Sequence, residues 1–153
     1  LKKFLSKNII KKSKFNFIFR EINERQNRNR NRNRNIKLLI YFRKHKNKNY
    51  KFVYKLVKKL NLQKITVHVI GDKLNLEGVK NYGNISYKKV ITLLKNTKYS
   101  LATSENIFSF FTIDCINNNV KILVNKKDFN SIKKYKKNFI KFDFTKNNLN
   151  KLI

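Results

Sequence analysis

Five short runs of β-branched, aliphatic and aromatic residues, each followed by room for a helix, constrain this chain more than any other feature. They are IKLLIYF at 36–42, ITVHVIGD at 65–72, YSLATS at 99–104, VKILVN at 120–125 and NFIKFDF at 138–144. Their apolar residues do not alternate strictly with polar ones, so each strand presents an apolar surface on both faces. A strand of that kind belongs in a sheet covered on both sides, which is what crossover helices produce. The β-α-β-α-β order predicts an α/β fold, a doubly wound, Rossmann-like parallel sheet with helices on both faces. Such sheets take ligands at the carboxyl ends of their strands, so the loops after the strands are where function is sought.

The stretches between the strands fit this frame. YKFVYKLVKKL at 50–60 places Phe52, Val53, Leu56, Val57 and Leu60 at helical spacing, with Lys opposite. Ser86 is a candidate N-cap for SYKKVITLLKNT, whose Val90, Leu93 and Leu94 face inward. Ser104 or Glu105 is expected to open an apolar helix, ENIFSFFTIDCINN, and residues 128–135 a weaker one. Phe144 is expected to begin the last. The segment at 71–86, with Gly71, Gly78 and VKNYGNIS, reads as a loop and a short connecting piece.

Ahead of residue 36 the pattern is different. Residues 1–26 hold a basic amphipathic stretch and the apolar run FNFIF, and 27–35 form the dipeptide repeat NRNRNRNRN. Four arginines at alternate positions repel one another, so 27–35 is expected to be a low-complexity linker. The folded unit is then 36–153, with 1–26 the end of a preceding domain or an interdomain segment.

The formal net charge of +30 suggests a polyanion partner. Yet Lys, Asn, Ile and Phe rise together, while Pro, Met and Trp are absent and Gly numbers 3. That is the mark of an A/T-rich genome, and it accounts for much of the Lys excess without selection for nucleic acid. Met is missing even at position 1, so a fragment of a longer protein is expected, sharing its active site with a domain not present. Cys115 stands alone, which excludes an intramolecular disulfide and a multi-cysteine metal site. No apolar run approaches the roughly 18 residues of a membrane span, and no signal peptide is recognisable. The expected location is cytoplasmic, with contact to an anionic membrane surface through Lys left open.

Chemistry concentrates in two places. Arg43 and Lys48 lie five apart in the loop after the first strand, a planar fork and a point charge suited together to a diphosphate. Ser104, Glu105 and Asn106 follow the 99–104 strand at an expected helix start, where N–H groups and a partial positive charge favour anions. Asp114 follows nine residues after Glu105 in the same apolar stretch. It is either a solvent-facing acid or a second carboxylate turned toward the same cleft. His68 reads as a packed strand residue, Cys115 as a small buried hydrophobe, and Asp72 as a turn residue.

In order, the segments YFRKHKNKN, HVIGD, NYGNISYKKV, SENIFSFFTIDCI and VKILV resemble the C-terminal, donor-binding half of GT-B glycosyltransferases, above all the retaining group that includes family 4. The resemblance runs from Ile36 to the end of the chain. It implies one GT-B half that binds a nucleotide-diphospho sugar, UDP- or GDP-linked, with no cofactor and no metal. By the same resemblance Arg43 and Lys48 neutralise the donor diphosphate, and Asn84 and Ile85 lie beside the nucleobase. Glu105 contacts the sugar hydroxyls, main-chain amides from Asn106 to Ser109 hold phosphate, and Asp114 is the candidate for the ribose. The departures are that Asp114 stands one residue beyond the family spacing, Asn106 replaces a Gly, and Phe42 precedes Arg43. The acceptor site would belong to the absent N-terminal domain. The rival expectation is a basic α/β protein that binds RNA or another polyanion through the Arg repeat and its Lys-covered helices.

Overall fold

The run IKLLIYF becomes β1 (Ile36–Phe42), with only Lys37 and Tyr41 open to solvent. The structure, a computed structural model, describes residues 33–46, 48, 50–103, 107–132 and 135–143. After β1 the chain runs through α1 (Tyr50–Asn61), β2 (Val67–Gly71), β3 (Val79–Gly83), α2 (Tyr87–Lys95), β4 (Thr97–Leu101) and α3 (Phe110–Asn117). It continues through β5 (Lys121–Asn125), α4 (Lys126–Ser131), a 3₁₀ turn (Lys136–Asn138) and β6 (Phe139–Phe142). The expected segments at 1–26, 27–32 and from 144 onward lie outside the described residues.

The six strands form one parallel sheet in the order β3-β2-β1-β4-β5-β6. From β1 the chain builds outward through β2 to β3, returns by way of α2, and then builds outward on the other side. β1 and β4 are therefore neighbours whose onward connections diverge. This is the doubly wound α/β, Rossmann-like arrangement that the alternation of runs predicts.

Side-chain alternation divides the core into two layers. Leu38, Ile40 and Phe42 point to one face with Val67 and Val69, and α1 covers them with Val53, Leu56, Val57 and Leu60. Leu39, Ile70, Ile122 and Val124 point to the other face, under Leu94 of α2 and Cys115 and Ile116 of α3. The apolar stripe of α1 is the one read from the sequence.

Four elements differ from expectation, the first being β4, which runs over Thr97–Leu101 rather than 99–104. VKNYG is a strand, β3, joined to β2 by a link without a helix. Its polar residues hide it in a pattern reading, and one of them explains the short link. The Asn81 amide accepts from Leu74 N–H at 2.9 Å and donates to Leu74 O at 3.0 Å, so a side chain stands in for a backbone partner and seats Leu74 in the core. α4 starts and ends earlier than 128–135. Asn125 caps it, accepting from Lys127 N–H, and Tyr135 has a positive φ of 58° that no helix tolerates. The start of α3 also moves, with consequences for the site described below.

Arg34, the last arginine of the repeat, is bound to the folded unit. Its Nη1 donates to Thr97 O at 2.5 Å and Asn119 O at 2.9 Å, and its Nη2 donates to Asn118 O at 2.8 Å. Asn118 is the C-cap of α3, where carbonyls lack intrahelical partners and a cation is favoured. The guanidinium thus ties the entry of β1 to the starts of β4 and β5, beside the bond from Ile36 N–H to Asn96 O. Replacing Arg34 by Ala is expected to lower stability by about 2 kcal/mol, because charge-assisted bonds to backbone carbonyls are lost. Urea denaturation of the two chains measures it.

Candidate functional site

Because β1 and β4 are adjacent and their following segments part, a cleft opens at their carboxyl ends. Its floor is the end of β1, Tyr41 and Phe42, and the end of β4 with Leu101, Ala102 and Thr103. One wall is the entry to α1, with Lys48, Tyr50 and Val53, and the other is the start of α3, with Ser109, Phe111 and Thr112. Arg43 stands at the mouth. The cleft measures about 550 Å³ with its open mouth included.

The starts of α1 and α3 both border this cleft, and neither helix carries an acid in its first turn. The partial positive charge of each N-terminus is therefore uncompensated by its own residues. α3 begins at Phe110 with Ser109 as N-cap, not at Ser104 or Glu105. The Ser109 hydroxyl accepts from Thr112 N–H at 3.1 Å and lies 3.0 Å from Thr112 Oγ1. That Ser-x-x-Thr interaction fixes the helix start. Residues 107 and 108 form a turn ahead of it.

Arg43 has a defined setting. Its Nε donates to Tyr41 Oη at 2.8 Å and its Nη1 faces Asp72 Oδ1 at 3.3 Å. Asp72 Oδ2 accepts from Lys44 N–H at 2.8 Å. The hydrogen bond from Arg43 to Tyr41 and the tyrosine's proximity, followed by Asp72, hold the guanidinium above the ordinary arginine pKa. Asp72, read from the sequence as a turn residue, thus joins the loops after β1 and β2. Tyr41 is 42% exposed and lies against Phe111, with ring centroids 5.7 Å apart.

Of the residues singled out from the sequence, Arg43, Lys48 and Ser109 meet at the cleft. Glu105 and Asn106 lie outside the described residues. Asn84 and Ile85 follow β3, at the same end of the sheet but two strands from β1, a separation of roughly 10 Å. Asp114 is 3% exposed and its Oδ1 accepts from Tyr87 Oη at 3.2 Å, so it joins α3 to α2 and is not among the residues lining the cleft. The aromatic lining, Tyr41, Tyr50 and Phe111, was not singled out. Their position at a strand end and at helix starts was the available signal.

His68 is half-buried on β2. Its Nδ1 lies 2.7 Å from Tyr82 Oη, and its ring stacks on that of Tyr82 with centroids 5.7 Å apart. His68 pairs with Lys80 in the register, so Tyr82, two residues on, lies on the same face of β3. Burial, then the charge of Lys80, lower the His68 pKa. Cys115 is buried, and loss of solvation pushes its thiol up to about 12. Among the described residues no cluster of His, Cys, Asp and Glu could hold a metal ion, and no helix is long and apolar enough to cross a membrane. Compared with known protein families the chain matches no family model, and a search of curated proteins finds no match.

Two outcomes follow from this geometry. Ser109→Ala is expected to cost about 1 kcal/mol in thermal or urea unfolding, since one cap is removed. His68 favours its neutral form when folded, so the unfolded chain binds more protons below about pH 6.5. The stability that His68 contributes is present above that pH and is lost as pH falls through its depressed folded value. Urea titrations from pH 8 to 5 should therefore show a decline that is shallower in His68→Gln.

Proposed function

We propose that this chain is the donor-binding half of a GT-B glycosyltransferase, and that the cleft between β1 and β4 takes the diphosphate of a nucleotide sugar. One observation carries the reading. Arg43, Lys48 and the Ser109-capped start of α3 come from segments far apart in sequence, yet all border one opening at the strand switch. Two cations and two uncompensated helix termini suit a dianion better than any neutral ligand.

In this reading the phosphates lie between the β1 loop and the start of α3, and the aromatic side chains Tyr41, Tyr50 and Phe111 offer apolar surface beside them. Glycosyl transfer places negative charge on the departing diphosphate. Arg43, Lys48 and the helix terminus would stabilise that charge electrostatically, in positions set before the reaction begins. Glu105 remains the candidate for contact with the sugar, and Asn84 and Ile85 for the base. The acceptor, and any base that activates it, would come from a second domain.

Thermal-shift titration with UDP, GDP and ADP at moderate salt tests the proposal on the chain and on Arg43→Ala and Lys48→Ala. Selective stabilisation by one nucleotide is expected, with each substitution weakening it about tenfold or more. Equal, salt-sensitive stabilisation by every nucleotide and by plain polyphosphate would instead mark a Lys surface that gathers charge.

A further inference from the structure

We propose that Asp72 is an intramolecular competitor for the anion that the cleft takes, and that it weakens the binding of any anion that must engage Arg43. The inference rests on the reading of the cleft as an anion site.

The arrangement around Asp72 is that of an occupied anion position. Its two carboxylate oxygens face the Arg43 guanidinium at 3.3 Å and the Lys44 main-chain N–H at 2.8 Å. Both donors belong to the loop after β1, the loop that also borders the cleft. The carboxylate is held in place by backbone rather than by chance. Asp72 N–H donates to Phe42 O at 2.9 Å. The preceding Gly71 has φ +94°, and a Cβ there would lie 2.4 Å from the same Phe42 oxygen. Only glycine permits so close an approach of the two strand ends, and that approach delivers Asp72 to Arg43.

The direction of the pull matters. β2 lies on the side of β1 away from β4, so Asp72 draws Arg43 toward the rim rather than toward the cleft centre. Asp72 is not among the residues lining the cleft, whereas Arg43 is. A ligand that engages Arg43 fully must therefore displace or share it. The contest is close, because the two side chains are 48% and 35% exposed and a solvated pair of this kind is weak. A dianionic phosphate group, which can accept paired charge-assisted bonds, outcompetes it. A monocarboxylate offers Arg43 no more than Asp72 already does, and so gains little.

Calorimetric titration of pyrophosphate into the full chain at fixed ionic strength tests the proposal, with Asp72→Asn, Arg43→Ala and the double variant. Asparagine keeps an acceptor for Lys44 N–H, and Asp72→Ser replaces it where Asp72→Asn lowers the melting temperature. Asp72→Asn is expected to tighten pyrophosphate binding about threefold to tenfold, with the gain abolished once Arg43 is Ala. Unchanged or weaker binding overturns the proposal, and the weaker result makes Asp72 a positioning residue for Arg43. A gain that survives in the double variant also overturns it, as an effect of net charge alone. The reading of the cleft fails separately, and the proposal with it, if Arg43→Ala and Lys48→Ala each bind pyrophosphate as the unaltered chain does.

Discussion

A parallel strand can pair with its predecessor only after the chain has crossed back along the sheet, and in this protein that requirement governs nearly everything else. Among the described residues β1 comes first in the chain and lies in the middle of the sheet, with β2 on one side and β4 on the other. It must therefore be apolar on both faces, and its run of Leu38, Leu39 and Ile40 is almost wholly buried. Two layers of core follow, one under α1 and one under α2 and α3. The connections leaving β1 and β4 part in opposite directions, and the gap between them is the cleft. The opening is thus a consequence of strand order, not of a special loop.

What the opening can hold is decided by electrostatics. Two helix starts border it without first-turn acids, and Arg43 and Lys48 come from the loop between β1 and α1. The chain has only 8 acidic residues against 38 basic ones, so an acid close to the site carries unusual weight. Asp72 is near the rim and engages Arg43, while Asp114 is spent on the contact between α3 and α2. Side chains that a linear reading groups as possible ligand contacts are therefore divided by the fold between the cleft and the contacts among helices.

Legibility in the sequence followed physical strength. The 36–42 run is recovered as β1 at both ends because its five buried positions, Ile36, Leu38, Leu39, Ile40 and Phe42, all need apolar side chains. The α1 stripe is equally plain, since four of its apolar residues are buried at helical spacing. β3 was missed because an edge strand needs less apolar surface, and Asn81 serves a backbone role that its polarity disguises. The start of α3 was placed too early because Ser104 and Ser109 look alike as caps. The bond from Thr112 N–H to the Ser109 hydroxyl marks Ser109 as the cap of α3.

The sequence by itself determined the fold class, the apolar character of the 36–42 strand, and the placing of Arg43 and Lys48 on one loop. These depend on local periodicity and spacing, which a linear chain displays. Tertiary structure alone decided that Ser109 meets those cations, that Asp114 lies beneath Tyr87, that Asp72 engages Arg43, and that Arg34 clamps three distant carbonyls. Each of these joins residues separated by long stretches of chain. Their proximity arises only when strand order brings β1, β2 and β4 side by side.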